Sequence, residues 1–136
     1  IDGEFYSEED VILAFEPYAK RIAKDISSLP NYFGYDDFTN DVLRFDQISI
    51  SGYFDLIGMP SSDFLRKGLE MAYVTEYGLE ADEQTAINFL YLFYINPGNS
   101  SFDIFGLSDE RYKISGGNQL VIDHLYNALK DQVALL

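Results

Sequence analysis

The sequence predicts a mainly α protein: an irregular bundle of about five to six helices, with at most one or two short strands. Three observations carry this expectation. Apolar residues recur at three- and four-residue spacing over most of the chain. Capping and stop residues bracket those runs. Only Phe5-Tyr6 and Tyr112–Ile114 read as short extended segments. At 136 residues the chain is about one domain by the usual size of roughly 100–200 residues each. Its 47% hydrophobic content, with 11 Phe and 11 Tyr, is enough for one core and argues against disorder.

The elements follow in order. Ser7-Glu8-Glu9-Asp10 has the pattern of a capping box, a hydroxyl followed three positions later by a carboxylate. Val11, Ile12, Phe15, Ala19, Ile22, Ala23 and Ile26 then share a face, predicting one long helix to about Ser28. Pro17 removes a backbone donor inside it, so a kink or a restart is expected there. The aromatic stretch Tyr32–Phe38 has no period and reads as a loop. Asp36–Asp41 reads as a polar turn with a helix cap, since it lacks the central glycine and distal glutamate of a calcium loop.

Ser49 is the expected N-cap of a short helix through Ile57, with Gly58 after its end and Pro60 just beyond. Ser61 or Ser62 is expected to start the next helix, which Gly78 ends. Asp82 reads as the cap of a helix from Glu83 to about Ile95 whose second half is apolar or aromatic on every face. Such a helix must be covered all round, as the centre of the bundle or by another part of the protein. Asn96–Asn99 reads as a turn and Ser100–Ser108 as a loop. Gly116-Gly117 then forms a turn free to take positive φ, and Asn118 reads as the N-cap of a helix from Gln119 to about Leu135 that buries Val121, Leu125, Ala128 and Leu129.

Composition excludes several functions. A net charge of −14 repels polyanions, which argues against nucleic acid and an anionic membrane surface as partners. The longest apolar run, Ile87 to Ile95 interrupted by Asn88, is about half the length that crosses a bilayer. With no cysteine and a single histidine, His124, neither a thiolate metal site nor a zinc site is expected, and no nucleophile motif accompanies His124. No catalytic residue is assigned. Glu76 and Glu80 are expected to face water or to pair with Arg66 or Lys67, and Asn99-Ser100-Ser101 is a formal glycosylation acceptor. Two adjacent glycines before a helix allow either a tight turn or the close approach of an electron-rich partner to free N–H groups.

Three segments resemble the flavin-containing amine oxidases, the family of the L-amino-acid and monoamine oxidases. They are Asp109–Leu120 with its Glu-Arg-Tyr-x-Ile-x-Gly-Gly-Asn-Gln core, Ala72–Glu80 followed by Asp82–Ala86, and Asp46–Phe54. They occur in family order and span most of the chain. The resemblance implies a helical substrate-binding region excised from a larger FAD-dependent enzyme, in which a small amine or amino acid is oxidised and hydrogen peroxide forms from dioxygen. It implies that Leu92, Phe93, Phe102, Ile104 and Phe105 line the substrate cavity and that Gly116 and Gly117 lie toward the cofactor.

The glycine-rich dinucleotide fingerprint of that family is not in these residues. FAD is therefore expected in the parent and not on the isolated chain, which is expected to be inactive alone. The remaining flavin domain of the same polypeptide is the expected partner, and dimerisation the expected means of covering a face left open. The alternative function is a non-catalytic helical domain whose exposed aromatic helix binds another protein.

Overall fold

The computed structural model describes residues 1–36, 38–96, 101–106 and 111–132. The protein is mainly helical: α1 (Glu8–Ser27), α2 (Asn40–Asp46), α3 (Ile50–Leu56), α4 (Phe64–Tyr77), α5 (Ala86–Leu92) and α6 (Gln119–Leu129), with two short strands, β1 (Tyr94–Ile95) and β2 (Phe102–Asp103). The capping box forms as expected. The Ser7 hydroxyl accepts from the Asp10 N–H at 3.2 Å while the Asp10 carboxylate accepts from the Ser7 N–H at 2.8 Å. Helix α1 runs without a restart through Pro17.

Several boundaries differ from the sequence reading, each for a local reason. The cap of α4 is Asp63, whose carboxylate accepts from the Leu65 N–H at 2.9 Å, and not Ser61 or Ser62. Helix α5 is capped by Thr85 rather than Asp82. Gln84 and Thr85 stay outside it because the backbone around them pairs elsewhere. Ile50 N–H donates to the Gln84 carbonyl at 2.9 Å and Ala86 N–H to the Ile48 carbonyl at 2.8 Å, forming an isolated bridge between Ser49 and Thr85. At its other end, residues 94–95 leave the helix to pair as a strand. Tyr94 faces Asp103 and Ile95 faces Phe102 in an antiparallel hairpin, while Phe5-Tyr6 and Tyr112–Ile114 form no strand.

Helix α5 sits at the centre, against α1, α2 and α3. Phe89 is the hub of the core, with ring centroids 5.8 Å from Tyr53, 5.0 Å from Phe54, 5.3 Å from Tyr73 and 4.8 Å from Phe93. Full burial of such a ring stabilises by about 1.5–3 kcal/mol relative to exposure. The all-round apolar pattern of this segment is covered only in part: Phe89, Leu90 and Phe93 are buried, while Tyr91 and Tyr94 stay exposed.

The core holds two ionic clusters. Asp25 of α1 accepts from Arg21 Nε at 2.7 Å and from the Tyr53 hydroxyl at 3.0 Å. Arg66 of α4 donates to Asp55 at 2.5 Å, to Glu70 at 2.9 Å and to the carbonyls of Met59 at 2.8 Å and Ser51 at 3.2 Å. Of the two expectations for Glu76 and Glu80, the pairing is not formed: Arg66 is held by Asp55 and Glu70, and Lys67 by Asp2 of the N-terminal segment. Glu76 and Glu80 face water.

The C-terminal stretch stands apart from this packing. Every residue from 111 to 132 is exposed, and α6 buries none of its side chains, against the expectation for Val121, Leu125, Ala128 and Leu129. Asn118 makes no side-chain cap. The positive φ of Gly116 and Gly117, 91° and 90°, matches the expected turn, which the Gly117 N–H closes onto the Ile114 carbonyl at 2.9 Å. The turn Asn96–Asn99, the acceptor at Asn99, Asp109-Glu110 and the last residues of the expected final helix lie wholly or partly outside the described residues.

Candidate functional site

The N-terminal turn of α1 and the hairpin after α5 meet across a cleft of about 680 Å³. Tyr6, Glu8, Val11 and Ile12 form one side, and residues 101–106 form the other. Each side is fixed from behind. Tyr6 stacks on Phe64 with ring centroids 3.8 Å apart and planes 3° from parallel, which holds the approach to α1 against α4. The capping box then sets where Glu8 and Val11 emerge.

On the opposite side Phe102 is braced by Phe15 at 4.3 Å and by Phe93 at 5.2 Å. The buried Tyr73 hydroxyl donates to the Ile104 carbonyl at 2.7 Å and so ties the hairpin exit to α4. Burial pushes the Tyr73 phenol above its ordinary range, with the neighbouring Tyr77 and Glu76 acting in the same direction, so it is a donor at neutral pH. Gly106 ends the segment at φ 65°. A side-chain carbon there would lie 2.8 Å from the Leu92 carbonyl oxygen, so the close passage of the hairpin over α5 requires glycine.

Of the five residues expected to line a cavity, Phe102, Ile104 and Phe105 come together in this cleft. Leu92 and Phe93 do not join them. They line a second cleft of about 380 Å³ on Ile26, Leu29, Pro30 and Asn31, which shares Gly106 with the first. Phe93 is 3% exposed and packs chiefly in the core against Phe15 and Phe89. Phe105, 37% exposed, stands at the rim. Gly116 and Gly117 line neither cleft.

Sequence reasoning missed Tyr6, Glu8, Val11, Ile12 and Asp103. The 3.6-residue period placed Val11 and Ile12 on the apolar face of α1, but nothing local brings that face to a hairpin some ninety residues later. Chemically the cleft is an apolar, partly aromatic groove with two carboxylates on it. No group of three metal-ligating side chains exists among the described residues, and no helix among them is long and apolar enough to cross a membrane. The chain matches no protein-family model, no curated protein and no solved structure.

Proposed function

We propose that this chain is the helical substrate-binding region of an FAD-dependent amine or amino-acid oxidase. The observation that carries the reading is the convergence of Phe102, Ile104 and Phe105 on the cleft of about 680 Å³ between α1 and the hairpin. Those are residues that the resemblance in Asp46–Phe54, Ala72–Ala86 and Asp109–Leu120 assigns to the substrate cavity. A groove with mostly apolar and aromatic walls and few polar groups is what small-molecule recognition needs.

A second feature supports it. Leu120, Val121, Ile122, Leu125, Tyr126 and Leu129 of α6 are all exposed, and an isolated helix of 11 residues is marginal in water. The flavin domain of the parent is the natural cover for this surface.

In that parent, bound FAD supplies the two-electron oxidation of the amine to an imine, with dioxygen reduced to hydrogen peroxide. The described residues contribute walls and orientation. The hairpin presents Phe102 and Phe105, Tyr73 holds it in place, and the α1 turn closes the groove from the far side. A lone exposed glycine pair is too little to hold a dinucleotide, so FAD belongs to the parent and not to the isolated chain.

The same exposed α6 favours the second reading, a non-catalytic helical domain that binds a protein partner. Expression of the complete open reading frame separates the two. A yellow protein that makes peroxide from an amine supports the oxidase; a colourless protein with no peroxide yield overturns it.

A further inference from the structure

We propose that two copies of this chain exchange α6, each laying the helix in the groove formed by residues 33–46 of the other. This does not rest on the oxidase reading. The flavin domain and a second copy compete for one face of α6, so the exchange belongs to the chain apart from that domain.

Two unpartnered apolar surfaces lie on the same molecule. Val121, Ile122, Leu125, Tyr126 and Leu129 are exposed, and at the helical turn per residue they share an arc of about 140° on α6, with Asp123 and Lys130 outside it. A stripe of that width is the pattern of a helix face that packs. The second surface is a groove of about 460 Å³ between the loop after α1 and the outer side of α2, lined by Phe33, Tyr35, Phe38, Val42, Leu43 and Asp46. Tyr35 is 99% exposed, and Phe38 and Leu43 are exposed as well. Every residue from 111 to 132 is exposed, so the chain's own α6 does not fill its own groove.

Charge and area select a second copy as the occupant. Residues 111–132 carry three basic and two acidic side chains, while the rest of the chain carries six and twenty-one. The α6 segment is thus a weakly cationic piece on a strongly anionic body. The groove suits it: Asp46 lines it, Asp36 is exposed next to Tyr35, and none of its lining residues is basic. Repulsion between the two bodies acts at longer range and is screened beyond about 8 Å at physiological salt. Half the accessible surface of an 11-residue helix, about 16 Å long and about 12 Å across, is roughly 350 Å². One such contact falls well short of the about 800 Å² per partner of a standard interface, but a two-fold exchange doubles it to roughly 700 Å² and leaves neither surface open. The dimer is therefore weak, with a Kd of about 100 μM, and α6 still opens far more readily than the core.

The test is sedimentation equilibrium of this chain from about 5 to 500 μM at 0.15 M salt, with two variants. Leu125→Glu alters the α6 face, and Tyr35→Ser with Phe38→Ser alters the groove. All three positions are exposed, so unchanged thermal unfolding at low concentration serves as the folding control. The wild-type chain should dimerise, and each variant alone should associate at least about tenfold more weakly. A one-to-one mixture of the two variants retains one intact α6 and one intact groove, so it should associate more strongly than either alone. A wild-type chain that stays monomeric at 500 μM overturns the inference. So does a dimer that survives Leu125→Glu, or one that the groove changes leave intact, which would place α6 against α6 or against another surface. None of these outcomes bears on flavin or peroxide in the parent, so the oxidase reading is tested separately.

Discussion

The Tyr53 hydroxyl donates a 3.0 Å hydrogen bond to the Asp25 carboxylate, tying α3 to α1 inside the core. Asp25 is 4% exposed, and its remaining capacity is met by Arg21 at 2.7 Å and, more distantly, by Arg44 at 3.9 Å. The two arginines keep their charged heads near water, so they tolerate loss of the carboxylate better than the fully buried phenol does. Tyr53→Phe should cost about 1–2 kcal/mol, the loss of one hydrogen bond to a charged acceptor that arginine still satisfies. Asp25→Ala should cost more, about 2–4 kcal/mol, because it strands the hydroxyl and opens a void. Urea unfolding of the two variants checks the order, and a larger loss for Tyr53→Phe would contradict it.

The same pair sets a pH limit. Burial, and then the adjacent Asp25 charge, raise the Tyr53 phenol well above its ordinary range, and burial raises Tyr73 likewise. Below about pH 10, the value for an unfolded tyrosine, both states are protonated and the full stability is present. Above it the unfolded chain releases protons that the folded chain retains, so stability falls with rising pH by up to about 1.4 kcal/mol per pH unit for each buried phenol. Denaturation midpoints between pH 8 and 11 should drop steeply past pH 10. Tyr53→Phe and Tyr73→Phe should each make the drop shallower.

Local signals in the sequence match the structure where they are self-contained. The Ser7–Asp10 capping box, the Ser49 cap with Gly58 behind α3, and Gly78 at φ 73° behind α4 depend on a few adjacent residues. The α5 start lies later than expected because the Gln84 carbonyl and the Ala86 N–H are taken by a bridge between Thr85 and Ser49, thirty-six residues away. The cleft was half legible for the same reason. Aromatic residues crowded between positions 102 and 105 mark one side, while Tyr6 and Glu8 join them only through tertiary packing. Burial of α6 was predicted from periodicity, which reports that a face needs covering but not that this chain covers it.

Arg66 should resist conservative exchange. It is 5% exposed and its planar head makes four hydrogen bonds, two to carboxylates and two to the carbonyls of Met59 and Ser51. Lysine lacks the fork that reaches Asp55, Glu70 and both carbonyls at once. Asp55 and Glu70 are partly hydrated, so the stranded charges cost less than in a sealed pair. Arg66→Lys should destabilise by about 1–3 kcal/mol, and Arg66→Met by a similar or larger amount. Thermal unfolding measures both, and a lysine variant as stable as wild type would show that the fork geometry is unimportant.

Two glycines should report on which parts of the chain unfold together. Gly106 and Gly117 both have positive φ, but an added methyl at Gly106 meets the Leu92 carbonyl oxygen at 2.8 Å, while at Gly117 it meets nothing within 4 Å. Gly106→Ala therefore combines backbone strain with a clash against main chain that α5 holds in place. It should cost about 2–4 kcal/mol and loosen the hairpin over the cleft. Gly117→Ala carries strain alone, about 1 kcal/mol, and in a segment where every described residue is exposed that strain has little leverage on the core. The expected result is a lowered melting temperature for Gly106→Ala and an almost unchanged one for Gly117→Ala. Amide exchange sharpens the comparison. Phe89 and Leu90 should exchange through global unfolding in the wild-type chain and α6 amides through local opening. Equal protection of α6 and α5 would mean that α6 is packed, and the basis for its docking role would be lost.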